Sequence, residues 1–192
     1  IAHFAREFYT NAYRDGLIID VRRNNGGNID SWIIEKLLRR AWAFWSVPDQ
    51  PPYWNMQQTF RGHLVVMIDE RTYSDGETFA AGIKSLGLGP LIGQRTAGAG
   101  IWLSDRNRLV DGGMARVAEY GQFGGNGEWL IEGRGVSPDI AVVNAPVATF
   151  KGGDAQLDAA LGWLEKKLAS DPVKPAIPKA IPPRGQPGWD LQ

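Results

Sequence analysis

Two short apolar runs constrain this chain more than anything else in it. Leu17-Ile18-Ile19-Asp20-Val21 and Leu64-Val65-Val66-Met67-Ile68 are nearly continuous and rich in β-branched residues. A strand with one wet face alternates apolar and polar residues, whereas a strand covered on both faces does not. Each run closes in a cluster of turn formers, Arg22 to Asn28 after the first and Arg71 to Gly76 after the second. The pattern predicts strands of a parallel or mixed sheet with helices on its faces, an α/β domain. Gly62 to Ile68 is taken as the full second strand, and Pro90-Leu91-Ile92-Gly93 and Ile140-Ala141-Val142-Val143 as further short ones.

The helices that cover such a sheet are legible by their spacing. Phe4, Phe8, Tyr9, Ala12 and Tyr13 make one face of a segment that Gly16 stops. Ile29 to Trp45 reads as a second helix, with Ile33, Leu37 and Leu38 inward and Asn28 or Asp30 as its cap. Trp32, Trp42 and Trp45 are expected in the core or in a buried contact. Phe79, Ala80, Ile83 and Leu86 define a third helix that Gly87 ends, and Leu157, Ala160, Leu161, Leu164 and Leu168 a last one over Asp154 to Leu168. Val47 to Thr59, with three prolines, is a loop. Arg106 to Val110 and Met114 to Ala118 are expected as a hairpin joined at Asp111-Gly112-Gly113, and Gly121 to Gly127 as a surface loop. Residues 1–170 thus form one unit, and 171–192 a proline-rich extended tail that Trp189 is placed to anchor.

Composition removes several function classes. Lys+Arg and Asp+Glu both number 21 in 192 residues, which gives no field for broad capture of nucleic acid or acidic lipid. No apolar run is long enough to cross a membrane as a helix. With no Cys and two His, there is no thiol nucleophile and no Cys- or His-rich metal centre, and no cofactor motif is present. The chain starts at Ile1-Ala2-His3-Phe4, without an initiating Met, and reads as cut from something longer.

Chemistry concentrates in the loops that follow strand ends. Ser74 stands at a strand-to-helix turn, where the free N–H groups of a helix start favour a developing oxyanion. Ser74-Asp75-Gly76-Glu77 is equally a capping box, with Ser74 capping the helix and Glu77 folding back. The residues of this turn alone leave both readings open. The Asn25-Gly26-Gly27 cluster permits close approach of backbone to a ligand, or is only a tight turn.

Three stretches in order carry a family resemblance from about Phe4 to Leu168. Asp20-Val21-Arg22-Arg23-Asn24-Asn25-Gly26-Gly27 resembles the Asp-x-Arg-x-Asn-x-Gly-Gly loop of the tricorn and C-terminal processing peptidases. Tyr73-Ser74-Asp75-Gly76-Glu77 resembles their nucleophile turn. Glu132-Gly133-Arg134-Gly135-Val136-Ser137-Pro138-Asp139 resembles their Glu-x-x-Gly-Val-x-Pro-Asp segment. The resemblance implies the crotonase and Clp-protease-like spiral of β-β-α units, with a mixed sheet and flanking helices. It implies a serine peptidase working through an acyl-enzyme on Ser74. The N–H groups of Asp75 and of a loop glycine, Gly26 in preference to Gly27, would form the oxyanion hole, and Glu132 would orient the catalytic apparatus. Arg22 is expected as an anchor paired with a carboxylate, and no metal or cofactor is implied.

The resemblance also implies partners: peptide substrates, a homo-oligomer, and upstream PDZ and His-bearing subdomains that nothing here matches. Neither His3 nor His63 stands where the family keeps its general base. Without that base the fragment is expected to be inactive alone. A cytoplasmic setting is favoured on resemblance only. Three alternatives share the fold: a retinoid-carrier-like binding module using Trp32 to Trp54, a crotonase-type acyl-CoA enzyme that would not need Ser74, and an interaction domain with a decayed site.

Overall fold

The computed structural model describes residues 1–56 and 58–180. In chain order its elements are α1 (Ala2–Asn11), β1 (Gly16–Asp20), α2 (Asp30–Leu38), β2 (Phe44–Trp45), β3 (Tyr53–Trp54), β4 (His63–Ile68), α3 (Asp75–Ser85), β5 (Leu91–Gly93), β6 (Trp102–Leu103), β7 (Ala118–Tyr120), β8 (Ile140–Ala141), α4 (Pro146–Phe150) and α5 (Ala155–Ser170). A four-stranded sheet in the order β1-β4-β5-β8 forms the centre, and every pairing in it is parallel. Among the described residues, antiparallel pairing, expected inside a mixed sheet, is found outside it, in two ribbons, β2-β3 and β6-β7, and two isolated bridges.

The continuous apolar run of β4 has the predicted cause. Because side chains alternate across a strand, Leu64, Val66 and Ile68 enter one core with Phe8, Ile33, Phe79 and Ile83, on the side of α1, α2 and α3. Val65 and Met67 enter a second core with Ala160 and Leu164 of α5. Val65, Val66 and Ile68 have no exposed surface at all. Burying each such side chain is worth about 1.5–3 kcal/mol, so β4 is the stiffest part of the frame. Its C-terminal end is where the turn carrying Ser74 begins.

Several expectations change. The helix predicted over Ile29 to Trp45 stops at Leu38, since Arg39 turns to an extended backbone (φ −59°, ψ 140°). Phe44-Trp45, expected as the end of that helix, instead pair as a ribbon with Tyr53-Trp54, which fall in the segment expected as a plain loop. Trp32 packs on the core as expected, but Trp42 and Trp45 are 75% and 54% exposed. Leu38, Leu86 and Leu161 fall at the exposed edges of their helical stripes. The hairpin at 106–118 keeps its turn, with Leu109 N–H donating to Gly113 C=O, but only a single bridge, Arg108 to Met114. Its Leu109, Val110 and Val117 face solvent, and strands that bury no face gain little from pairing. Of the tail, residues 171–180 are described, with Arg61 Nη2 donating to Lys174 C=O at 3.3 Å. Pro182, Pro183, Pro187 and Trp189 lie outside the described residues.

Arg22 is an anchor, as expected. Its guanidinium reaches Asp20 at 2.7 Å, Asp154 at 2.8 Å and Gln156 Oε1 at 3.0 Å. Asp154 caps α5 through Leu157 N–H, so this arginine ties the end of β1 to the start of α5. The Arg22 hydrogen bond holds the Asp154 carboxyl well below the usual carboxylate range, against the opposing effect of burial. A lowered folded pKa stabilises the fold above the unfolded value of about 4, and that gain disappears as pH falls through the folded value. Replacing Arg22 with Met should cost about 2 kcal/mol at neutral pH. Denaturant midpoints taken from neutral pH down to strong acid should fall more steeply for the native chain than for R22M, and parallel curves would assign the acid sensitivity elsewhere.

Candidate active site

The loops after β1 and β4 are sewn together before they reach any chemistry. Asp69 Oδ1 accepts the N–H of Arg23 at 2.9 Å and of Arg71 at 3.1 Å. Thr72 Oγ1, fully buried, accepts the Asp69 N–H at 3.0 Å and lies 3.1 Å from the Val21 carbonyl. Tyr73 N–H donates to Asn24 C=O at 2.9 Å. The next residue is Ser74, half-buried, with φ 56° and ψ −119°.

That backbone bears on the two readings of Ser74. Ser74 and Glu77 do form the capping box, with Ser74 N–H donating to Glu77 Oε2 at 3.1 Å. An ordinary N-cap residue, however, keeps a β-region backbone. A non-glycine residue in the positive-φ conformation of Ser74 costs about 1–3 kcal/mol, and a helix cap alone does not require it. A sharp strand-to-helix turn that lifts a serine clear of the sheet is the arrangement of a nucleophile elbow.

Glu77 does more than the capping box foretold. Its fully buried carboxylate also accepts Thr96 Oγ1–H at 2.6 Å, Gly98 N–H at 2.6 Å and Ala99 N–H at 2.9 Å. The small-residue loop Thr96 to Gly100 is therefore closed around α3. Thr96 in turn fastens Val136, whose N–H donates to Thr96 Oγ1 at 2.7 Å. The next two N–H groups, of Gly100 and Ile101, go to Glu132 Oε2 at 2.8 and 3.0 Å. Two carboxylates thus hold consecutive pairs of amides on one loop. Glu132 is solvent-exposed, and its Oε1 has no partner among the described residues.

The glycine loop lies directly on the Ser74 turn. A Cβ on Gly26 (φ 92°) would sit 2.7 Å from Ser74 Cβ and 3.2 Å from Asp75 N, so only glycine fits. The Gly26 N–H, the donor favoured from sequence, is turned onto Asn24 Oδ1 at 2.8 Å and would have to leave that acceptor to serve an oxyanion. Gly27 N–H and Asp75 N–H have no acceptor among the described residues. His63 begins β4, at the opposite end from Ser74, with Nε2 2.7 Å from Asp171 C=O. His3 is exposed on α1 beside Arg6. Neither histidine is placed as the base for Ser74. Among the described residues there is no cluster of metal-ligating side chains. A polar cleft of about 540 Å³ lies on the Arg22 side of the same sheet edge, and Ser74 is not in its wall.

With this geometry, the comparisons with known proteins converge. Residues 1–142 match the model of peptidase family S41. The chain belongs to that family. It is 36% identical over 180 residues to tricorn protease homolog 1 of Streptomyces coelicolor, covering 92% of this chain and 17% of that protein. The crystal structure of the tricorn protease superposes with a TM-score of 0.80 at 32% identity, over 88% of this chain and 16% of that one. The photosystem II D1 C-terminal processing protease shares the fold, with a TM-score of 0.55 at 24% identity over 74% of this chain and 39% of that one. The S41 chain described here therefore spans about a sixth of its tricorn relatives.

Glu77→Ala should leave three loop donors and the Ser74 N–H without their acceptor in a buried place. A loss of about 3 kcal/mol or more in stability is expected. Amide hydrogen exchange should also accelerate at Gly98 and Ala99 before the core opens. Unchanged protection there would mean that Glu77 does not hold the loop.

Proposed function

We propose that this chain is the nucleophile-bearing part of a tricorn-like serine peptidase that cleaves peptides through an acyl-enzyme on Ser74. The observation that carries the reading is the raised, positive-φ backbone of Ser74 beside the open N–H of Asp75 at the start of α3. In the first step Ser74 Oγ bonds to the scissile carbonyl carbon while its proton passes to a general base. The carbonyl oxygen, now negative, is held by Asp75 N–H and by the Gly26–Gly27 pair, with Gly27 N–H the free donor in this conformation. The amine leaves with the proton, and water then releases the acyl group by the reverse path.

Glu132 is the orienting acid in this scheme. Its occupied oxygen fixes it to the loop that Glu77 holds, and its other oxygen remains to steer the base. The base is a histidine outside the residues described here, from an upstream subdomain of the assembled protease. Peptides as substrates and association with further copies are part of the same proposal and come from the tricorn relatives. Trp42 and Trp45 do not favour the carrier alternative, since the groove of about 250 Å³ that they line with Phe44 and Ile177 is open and leaves both rings largely exposed.

In the full-length protein Ser74→Ala should abolish hydrolysis of a fluorogenic oligopeptide while leaving the fold intact, and undiminished turnover would end the nucleophile assignment. Glu132→Gln should lower kcat by up to ~10⁴-fold, and an unchanged kcat would make it a loop fastener only. Residues 1–192 alone should show negligible turnover, because a serine hydroxyl needs a base to take its proton. Ser74-dependent activity of this fragment would show that a group within it serves as base.

A further inference from the structure

The Asp75 side chain stands in an unexpected place. It is 4% exposed, and its Oδ2 accepts the N–H of Ile29 at 2.8 Å and of Asp30 at 3.3 Å. Those are the first free donors of α2, the helix that the glycine loop runs into. The sequence offers Asn28 and Asp30 as local caps, yet α2 takes no cap from its own N-terminal side chain. The cap arrives instead from the residue after Ser74, across 46 positions of sequence. Its second oxygen, Oδ1, is buried with no hydrogen-bond partner among the described residues. Burial, together with the neighbouring Asp30, pushes the Asp75 carboxyl above its ordinary pKa, while the Ile29 N–H pulls it back. An expensive buried carboxylate in place of a cheap exposed cap calls for a reason beyond ending a helix.

The geometry supplies one. The loop from Asn24 to Ile29 is pinned at its entry by Tyr73 N–H on Asn24 C=O and at its exit by Asp75 Oδ2 on Ile29 N–H. Both pins are neighbours of Ser74. Between them lie Gly26 and Gly27, and a Cβ on Gly27 would come 3.8 Å from Asp75 Oδ2. The Asp75 N–H is one oxyanion donor in the function proposed above, and the loop bears the other. We propose that Asp75 is a positioning residue whose carboxylate fixes the glycine loop at the distance from its own N–H that one oxyanion requires. A single residue then sets both sides of the oxyanion hole, with no rigid element needed between them. The inference rests on the serine-peptidase reading and adds a role for a side chain that reading leaves unused.

The test uses the full-length protein, assayed on an oligopeptide well below its melting temperature, with Ser74→Ala as the reference. Asp75→Ala should lower kcat by about 10²–10³-fold, the effect of losing one oxyanion donor, with KM changed less than about threefold since ground-state contacts stay. Asp75→Asn should recover most of that loss, because its amide oxygen can still accept Ile29 N–H and its NH2 falls where Oδ1 has no partner. Asp75→Glu keeps the charge but pushes the loop out by one carbon, and should lower kcat with KM unchanged; it decides the matter if Asp75→Ala fails to fold. Near-native kcat for Asp75→Ala, or for a folded Asp75→Glu, overturns the inference. So does Asp75→Asn as poor as Asp75→Ala. If Ser74→Ala itself remains active, the serine-peptidase reading falls first, and the two failures are distinct.

Discussion

One buried carboxylate, that of Glu77, holds the candidate site together. Four donors from two separated segments converge on it: the Ser74 N–H from its own turn, and Thr96, Gly98 and Ala99 from the loop after β5. A fully buried charge is tolerable only when its lone pairs are all answered, and here they are. The arrangement has a consequence for Ser74. Ser74 keeps an unfavourable backbone because the residues on either side are over-determined, Tyr73 by Asn24 and the first turn of α3 by Glu77. Strain of this kind persists only where the surroundings outweigh it.

The same device is repeated outward from the sheet. Asp69 binds the two strand-end loops to each other, Glu77 binds the turn to the 96–100 loop, and Glu132 binds the continuation of that loop. Arg22 does the equivalent on the other face, with Asp20 and Asp154. Asp69, Glu77 and Glu132 accept backbone N–H groups rather than meeting a cation, so these loops are fixed by short directional bonds. The rigid base for all of this is β4, sealed between two cores. Its C-terminal end is a buried, well-packed platform from which a loop can present chemistry. This explains how a site made almost wholly of loops keeps a defined shape.

The family motifs gain a physical meaning in this frame. The Asp-x-Arg segment is an anchor for α5, and the first glycine of the Gly-Gly that follows, Gly26, is there because no Cβ fits against Ser74. The Gly-Val-x-Pro-Asp stretch fastens the last strand, where Val136 binds Thr96 and Asp139 Oδ2 accepts the Leu91 N–H at 2.8 Å. None of these three roles is catalytic. Together they bring Ser74, the glycine loop and Glu132 onto one connected network, with neither histidine of the chain in it.

Sequence by itself determined the frame. Uninterrupted β-branched runs mean strands covered on both faces, helical spacing of Phe8, Ile33, Phe79 and Leu164 marks what covers them, and the ordered motifs mark Ser74, the glycines and Glu132. These are local or periodic signals, and burial reinforces them. Sequence could not end α2 at Leu38, since Arg39 to Trp45 is as apolar and aromatic as a buried helix and only its pairing with Tyr53-Trp54 makes it a ribbon. The residues of the Ser74 turn alone could not separate cap from nucleophile either, because both readings need serine at a helix start, and the positive-φ backbone of Ser74 is a property of the fold. The sequence places the Glu77 carboxylate in a capping box and gives Asp75 a role only through its N–H. Apart from the Ser74 N–H, their partners lie 19 to 46 residues away, and only the folded chain brings those donors to them.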